Sequence, residues 1–399
     1  MRNSANSAPF PIPAAQARRT LILTGLAHAL HDGYTDAIYV LLPIWRAEFG
    51  LDYVALALLR GVYAGAMAAF QVPATGLAER IGGRKLLILG TLLAAAGYAG
   101  AGLSGGALGL YLALAAAGLG SSVQHPIASG AVSRAYGTAA RGPLGIYNFS
   151  GDLGKAILPA ALSLTLSVAP WRPALGGLSL VGVAVAALLA AGLPSIARAT
   201  AAGQAAKAPA GPGRGGFPLL FVIGVLDTAV RMGLLTFLPF LLQEKGATQP
   251  IIGTALALVF LGGAAGKFAC GWLGQRFGVV GITLCTEGAT ALLIAATVIL
   301  PLLPLLIVLP LLGMMLNGTS SVLYGTVPEL ADADRTESAF AIFYTGVIGS
   351  GALSPLLFGL LGDFAGPAAA TLATALVALA TFPPALLLGP KLALSARAA

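Results

Sequence analysis

Charged residues are scarce in this chain, which excludes an ordinary soluble protein. Lys, Arg, Asp and Glu together make up 9% of the 399 residues, against about a quarter in soluble domains. None of the four occurs in residues 86–133, 288–328 or 364–390. Each of these stretches can hold one or two membrane spans of ~20 residues, so the chain is predicted to lie in a lipid bilayer.

Cysteine is rare as well, and a nucleotide-binding loop is missing. The 2 cysteines, Cys270 and Cys285, are predicted to be small packing residues in or beside helices. No Gly-x-x-x-x-Gly-Lys-[Ser/Thr] loop occurs, which argues against a fused ATPase. The alternative class, a membrane-embedded enzyme or sensor, would need a reactive cluster near one surface or an appended soluble domain, and neither is visible. We therefore predict no enzymatic activity, no cofactor and no metal.

The apolar stretches predict an all-α membrane protein with twelve transmembrane helices, because backbone groups in lipid must bond internally. The spans are placed at residues 20–43, 51–74, 86–104, 108–132, 142–166, 173–194, 217–242, 250–272, 279–300, 302–325, 337–361 and 366–389. Most of the 22 Lys and Arg fall in the tails and in loops on one side of these spans. The positive-inside rule then predicts a multi-pass protein of the cell inner (plasma) membrane with cytoplasmic termini. The net charge of +8 needs no nucleic-acid partner.

Two parts of the chain match at a constant offset of 196 positions. In this register Pro43 meets Pro239, and Gly82 meets Gly278. The duplication predicts two pseudo-symmetric six-helix halves, residues 1–194 and 217–399, joined by a cytoplasmic linker at 195–216. Parallel repeats of this kind hold a substrate site between them at mid-membrane, so transport by a functional monomer is the leading hypothesis.

The loop after the second predicted helix reads Thr-Gly-Leu-Ala-Glu-Arg-Ile-Gly-Gly-Arg-Lys, residues 75–85, and its partner at 271–278 reads Gly-Trp-Leu-Gly-Gln-Arg-Phe-Gly. Both resemble the signature loops of the major facilitator superfamily, Gly-x-Leu-Ala-Asp-Arg-x-Gly-Arg-Lys. An acid with basic neighbours can latch helix ends in one transport state, although positive-inside topology alone would also place arginines here. The residues assigned to gating are Glu79, Arg80, Arg84 and Arg276.

Three further segments resemble the fosmidomycin-resistance branch of that superfamily. They are His-Ala-Leu-His-Asp at 28–32, Gly-Leu-Gly-Ser-Ser-Val-Gln-His-Pro at 118–126, and the run from Tyr147 to Pro159. The resemblance implies a twelve-helix fold and proton-driven export. The cavity of this chain is predicted to be more charged than in that branch.

Four titratable residues lie on one face of the first predicted helix. His28, His31, Asp32 and Asp36 recur at helical spacing, and imidazole titrates near neutral pH. We predict that they carry protons together with His125, with Asp32 as the principal carrier. The alternative is a hydrogen-bonded network between helices without a transport role.

Further ionisable groups inside predicted spans are functional candidates, because burying a charge in a bilayer is costly. Asp152 and Lys155 are spaced i, i+3, and Asp227 and Arg231 are spaced i, i+4, so each pair can close locally or exchange partners across a substrate site. The candidate substrate-binding residues are Lys155, Asp152, Asp227, Arg231, Tyr147, Asn148, Tyr344 and Tyr34.

Three remaining charges in the spans are assigned differently. Arg60 is expected either to guard the outer mouth or to snorkel outward, and Lys267 to snorkel inward. Glu287 is expected outside the cavity in a structural pair, with Lys267 as the candidate partner. The sequence as a whole predicts a proton-coupled secondary transporter that exports a small organic compound with an anionic group. The alternative within transport is proton-coupled uptake of a small carboxylate.

Overall fold

The computed structural model describes residues 13–196, 216–330 and 336–396, and this part of the chain contains helices and no strand. The α-helices are α1 Ala14–Phe49, α2 Tyr53–Ile81, α3 Gly83–Leu103, α4 Ala107–Ser121, α5 Gln124–Tyr136, α6 Arg141–Thr165, α7 Trp171–Gly192, α8 Phe217–Glu244, α9 Gln249–Ile299, α10 Leu302–Leu330, α11 Thr336–Leu379 and α12 Phe382–Ala396. Most of the predicted linker, residues 195–216, lies outside the described residues.

Helix boundaries differ from the predicted spans in three places. α9 runs through the eighth and ninth spans with a break at Gly278, and α11 runs from the eleventh into the twelfth with a break at Gly366. The fourth span is divided between α4 and α5. Nine stretches of the described residues are long and apolar enough to cross a membrane, and α1 and α6 are not among them. The all-α membrane fold is confirmed, whereas the number of twelve spans stays a prediction.

The internal repeat is visible in the backbone. Gly50 and Gly246, 196 positions apart, both have positive φ, at 62° and 80°. Gly82 and Gly278 repeat the pattern at the same offset, with φ of 92° and 72°. Residues with a side chain rarely adopt this conformation. The duplicated sequence therefore forms the same turn at corresponding places of both parts of the chain.

Packing of α1 against α6 brings the principal charged residues together. A side chain at Gly154 of α6 would collide with the backbone of Ala29 in α1, so only glycine permits this close approach. Lys155 is the next residue along α6, and Asp32 lies one turn beyond Ala29 on α1. The small residue thus sets the distance between a half-buried cation and a buried acid.

The N-terminal and C-terminal parts meet where α2 packs on α11, α6 on α9 and α1 on α8. Asp363 of α11 accepts hydrogen bonds from the amides of Tyr53, at 2.6 Å, and Val54, at 3.1 Å, in the first turn of α2. Gly359, one turn before Asp363, lets α2 approach, because a Cβ there would lie 3.0 Å from Val54. These contacts close one end of the bundle, opposite the basic end that carries Arg80 and Arg276.

The centre is nevertheless open to solvent. The side chains of Lys155, His125 and Lys267 retain 28%, 38% and 37% of their accessible surface. Since the opposite end is closed by α2 and α11, we infer that a cleft reaches these groups from the basic end. Under the predicted orientation this is an inward-facing conformation.

Replacing Asp363 by Ala should loosen the closed end. A carboxylate at an exposed helix N-terminus contributes ~0.3–1 kcal/mol, so the ratio of closed to open molecules at this end should fall about two- to fivefold. Spin labels at Leu103 and Ile299, both exposed and at this end, would report the change as a distance distribution in a background free of Cys270 and Cys285.

Asp52→Ala is the matched control. Asp52 caps the same helix through the amide of Ala55, at 2.7 Å, but belongs to the same half. An equal shift in both variants would show that Asp363 acts on helix stability and not on the contact between halves.

Candidate functional site

Asp32 is the centre of a cluster formed by four side chains. Its carboxylate lies 3.4 Å from His28 Nε2, 3.6 Å from His125 Nε2 and 3.2 Å from Lys155 Nζ. Asp32 itself is 8% exposed. Gly151 of α6 leaves room for the cluster, because a Cβ there would come within 2.7 Å of both His28 and Asp32. The predicted grouping of Asp32, His28 and His125 is present.

His28 is held by Tyr147 so that its ring faces Asp32. Its Nδ1 lies 2.8 Å from the carbonyl oxygen of Tyr147, and its ring stacks on that of Tyr147 at 4.2 Å. A carbonyl only accepts, so Nδ1 must be protonated. Nε2 is the ring nitrogen that faces the Asp32 carboxylate.

His31 belongs to a different network, although the sequence placed it with Asp32. Tyr63 and Ser121 hydroxyls lie 2.8 Å apart, Ser121 Oγ lies 3.0 Å from His31 Nδ1, and His31 Nε2 lies 3.1 Å from Thr91 Oγ1. Thr91 donates to the carbonyl of Leu87 and so accepts from His31. These hydroxyls satisfy both nitrogens of a neutral ring. This is the hydrogen-bonded arrangement that the sequence left as the alternative for His31.

His28, Asp32 and His125 each present one potential metal ligand atom, all within 4.8 Å of one another. The ammonium of Lys155 already faces the Asp32 carboxylate. A divalent cation at this position would be repelled by Lys155, so the donor set does not fit a resident metal.

Lys267 joins the two halves at the centre, and sequence reasoning missed it. Its Nζ lies 2.6 Å from Asp152 Oδ1, whereas Lys155 lies 3.8 Å from the same oxygen. The local Asp152 and Lys155 pair is therefore the weaker contact. Lys155 lies closer to Asp32 of α1, and Asp152 lies closer to Lys267 of α9. The expectation that Lys267 snorkels inward was wrong. Its position inside a predicted span was the signal that could have identified it.

The C-terminal half holds a second group of charges. Arg231 Nη2 lies 3.7 Å from Asp227 Oδ2, and the guanidinium reaches Asn317 and Ser320 at 3.4 and 3.5 Å. Glu287 is 1% exposed and lies against Asp227. The expected pairing of Glu287 with Lys267 was wrong, because the face of α9 that carries Glu287 turns towards α8.

Arg60 is directed into the protein. It is 6% exposed, so outward snorkelling is excluded, and its guanidinium lies 5.5 Å from the centroid of the Tyr39 ring. Its Nε and Nη1 have no hydrogen-bond partner among the described residues. Asp36, 5% exposed, lies within electrostatic range of Arg60 and Lys155. The assignment of Arg60 as a gate remains a prediction.

The four polar and aromatic candidates for the substrate wall differ in position. Tyr147 stacks on His28, and Tyr344, 47% exposed, lies within electrostatic range of Asp32. Asn148 is exposed and makes no hydrogen bond with the described residues. The assignment of Tyr34 was wrong: this side chain is fully buried, and its hydroxyl donates to the carbonyl of Leu178, at 2.8 Å.

The predicted latch is not formed in this conformation. Glu79 and Arg80 are exposed, and Glu79 makes no ion pair with any described residue. Arg84 donates to the carbonyl of Ala190 in α7, and Arg276 lies 5.9 Å from the centroid of the Phe277 ring. A latch at the basic end fits a state in which that end is closed, so the gating role stays a prediction.

Comparison with known proteins identifies the family. The sequence profile described as Major Facilitator Superfamily matches residues 24–216 and 220–397. A probable sulfoacetate transporter of Cupriavidus necator, SauU, is 28% identical over 376 residues, which cover 86% of this chain and 87% of that protein.

Solved transporters share the fold at low sequence identity. A bacterial homologue of the human lysosomal transporter Spinster, in an inward-facing and occupied conformation, is 16% identical with a TM-score of 0.74, covering 97% of this chain and 98% of that one. The nucleoside transporter NupG is 12% identical with a TM-score of 0.78, covering 94% and 100%. These similarities establish the architecture.

A double-mutant cycle should separate the two partners of Asp152. Asp152→Asn combined with Lys267→Gln should give a coupling energy of about 1 kcal/mol, and Asp152→Asn with Lys155→Gln a smaller one. The reason is the shorter contact to Lys267. Thermal unfolding of the detergent-solubilised variants supplies the measurement, and equal coupling in the two cycles would contradict the assignment.

Proposed function

Because the chain belongs to the Major Facilitator Superfamily, we propose that it is a proton-coupled symporter that takes up a small organic anion with two acidic groups. The observation that carries this proposal is the 3.2 Å contact between Lys155 Nζ and Asp32 Oδ2.

Two guanidinium groups at the centre are available to an anion. Nε and Nη1 of Arg60, and Nε of Arg231, are buried without a hydrogen-bond partner among the described residues. The remaining contacts of Arg231, to Thr228, Asp227, Asn317 and Ser320, are long, at 3.3 to 3.7 Å. Guanidinium matches the planar carboxylate, and its fork also suits the oxygens of phosphate-like groups such as sulfonate. A buried cation with unused donors favours an anionic substrate.

The two arginines belong to different halves, α2 and α8. Asp36 lies within electrostatic range of both and of Lys155, so the cations surround one region. A short anion with an acidic group at each end could engage both halves at once, which favours an occluded state when it binds. Sulfoacetate, named for the relative SauU, carries a sulfonate and a carboxylate and is the first substrate to test.

Coupling follows from competition for Lys155. An anion that approaches Lys155 draws its ammonium away from Asp32, and the buried carboxylate loses its counter-charge. A buried carboxylate without a partner favours the protonated form, and His28 can relay the proton. Anion and proton then bind together, so Asp32 releases its proton only when the anion leaves.

This order of events favours symport over exchange. In an antiporter the proton and the substrate compete for one site, whereas here binding of the anion promotes binding of the proton. With a proton gradient directed inward, symport drives uptake. The geometry thus supports the alternative that the sequence left open, uptake of a small acid, in preference to export.

Reconstituted protein should accumulate labelled sulfoacetate in liposomes when the outside is made acidic, because the proton gradient drives the anion inward. Malonate, a dianion of similar size, should compete, and acetate should compete much less. A protonophore should abolish accumulation. Efflux of preloaded sulfoacetate driven by the same acidic outside would support exchange and overturn symport, and uptake indifferent to pH would overturn coupling.

Asp32→Asn should abolish accumulation while leaving counterflow exchange of sulfoacetate largely intact, since exchange needs no net protonation change. The matched control is His31→Gln. His31 lies on the same helix but its nitrogens are held by Thr91 and Ser121, so its loss should leave the pH dependence in place. Accumulation driven by the pH gradient at the wild-type level in Asp32→Asn would remove Asp32 from the coupling role.

A further inference from the structure

Two acidic side chains meet inside the C-terminal half, away from Asp32. Asp227 of α8 and Glu287 of α9 are 3% and 1% exposed. Their carboxyl groups lie within hydrogen-bonding range of each other. Two carboxylates in contact and shielded from water cannot both be ionised, so a proton must be held between them.

The internal repeat relates this acid pair to a neutral one. At the offset of 196 positions, His31 corresponds to Asp227 and Thr91 corresponds to Glu287. His31 Nε2 lies 3.1 Å from Thr91 Oγ1, so each half joins the same two positions by a side-chain contact. The N-terminal copy is satisfied without a charge, whereas the C-terminal copy uses two acids. The fold does not require acids at these positions.

Few charged or hydrogen-bonding side chains among the described residues face Asp227 and Glu287 from the surrounding helices. Arg231 of α8 approaches Asp227 and is the one cation among the described residues whose field reaches both acids. From α10, Thr319 lies within hydrogen-bonding range of Glu287, and the Tyr324 hydroxyl lies within electrostatic range of Asp227. Glu287 Oε2 has no hydrogen-bond partner among the described residues.

Among the described residues, the remaining helices packed on α8 and α9 add no charge that reaches either acid; Asp36 of α1 lies within electrostatic range of Arg231. Lys267, on α9, is engaged by Asp152 of α6, and α12 contributes the apolar Phe382 beside Gly288. From α11, the ring of Tyr344 lies 5.7 Å from that of Tyr324, centroid to centroid. The charge of the acid pair is therefore set by Arg231.

We propose that Asp227 and Glu287 form a second proton-binding site, which shares one proton at rest and takes up another when the substrate engages Arg231. At rest the pair carries one negative charge, which Arg231 balances. An anion that draws Arg231 away removes this balance, and a proton from the water of the cleft restores neutrality. The uptake step rests on the proposed function, whereas the shared proton does not.

A second proton would change the electrical character of transport. A doubly charged anion carried with two protons, one at Asp32 and one at the acid pair, moves no net charge. A membrane potential that is negative inside then does not oppose uptake. With one proton the same cycle would carry one negative charge inward against that potential.

Infrared spectroscopy of the full chain in lipid nanodiscs tests the shared proton without any substrate. At neutral pH the wild type should show the carbonyl stretch of a protonated carboxyl, and Glu287→Gln and Asp227→Asn should each lose this band. Asp32→Asn and Asp36→Asn are controls in which the band of the pair should persist. A wild type without the band, or a band that survives in both Glu287→Gln and Asp227→Asn, would overturn the proposal.

A third variant guards against loss of folding in the single substitutions. Asp227→His combined with Glu287→Thr transplants the pair that the N-terminal half uses at the equivalent positions. This variant should keep the thermal midpoint of the wild type and lose the carboxyl band. Retention of the band in the folded double variant would overturn the shared proton.

Sulfoacetate uptake under an imposed potassium diffusion potential tests the uptake step. Wild-type accumulation should be insensitive to the potential, whereas accumulation by the double variant Asp227→Asn with Glu287→Gln, which has no acid left to take up the second proton, should fall by up to ~50-fold per 100 mV, the factor for one net charge. Equal sensitivity of the two proteins would overturn the second-proton role. Absence of any wild-type flux would count against the proposed substrate, and the infrared result would still decide the shared proton.

Discussion

The arrangement of the centre depends on one constraint, the need to neutralise each charge that is removed from water. An isolated ion in an apolar interior costs several kcal/mol, and each acid of the centre accordingly lies beside a cation or another acid. Asp32 faces Lys155, Asp152 faces Lys267, and Asp227 faces Arg231. Lys267 and Asp152 belong to different halves, so the same constraint also ties the halves together. Any ligand that takes a cation must leave an acid to be neutralised in some other way.

The fold and the position of the charged face could be predicted from the sequence, because both depend on local periodicity. The twofold repeat, the grouping of His28 with Asp32 and the family all follow from residues at fixed spacing. Partner choice could not be predicted in this way. Spacing along one helix suggested that Asp152 pairs with Lys155, yet its shorter contact is to Lys267 on α9, since the rotation of each helix about its axis decides which faces meet.

The same limit explains the wrong assignments of Tyr34 and Glu287. Tyr34 is only two residues beyond Asp32 and therefore points to a different side of α1, where it is buried with Tyr98 at a centroid distance of 4.3 Å. Glu287 has no charged neighbour within two helical turns in the sequence, and the expected partner was Lys267; only the packing of α9 on α8 brings it to Asp227. In the N-terminal copy of the repeat, the neutral Thr91 stands at the position that corresponds to Glu287. Divergence between duplicated positions thus marks where one half has acquired chemistry that the scaffold does not need.

The contact of Lys267 with Asp152 also constrains how the two halves can move. When one rigid body rotates against another, the displacement of each atom grows with its distance from the axis. A 2.6 Å ion pair tolerates little displacement, whereas the ends of α2 and α11 can separate widely once Asp363 is released. If the pair persists through the cycle, the rotation axis must pass close to α6 and α9 at this depth. The pair then acts as a pivot, and the longest lever arms belong to the two ends of the helical bundle.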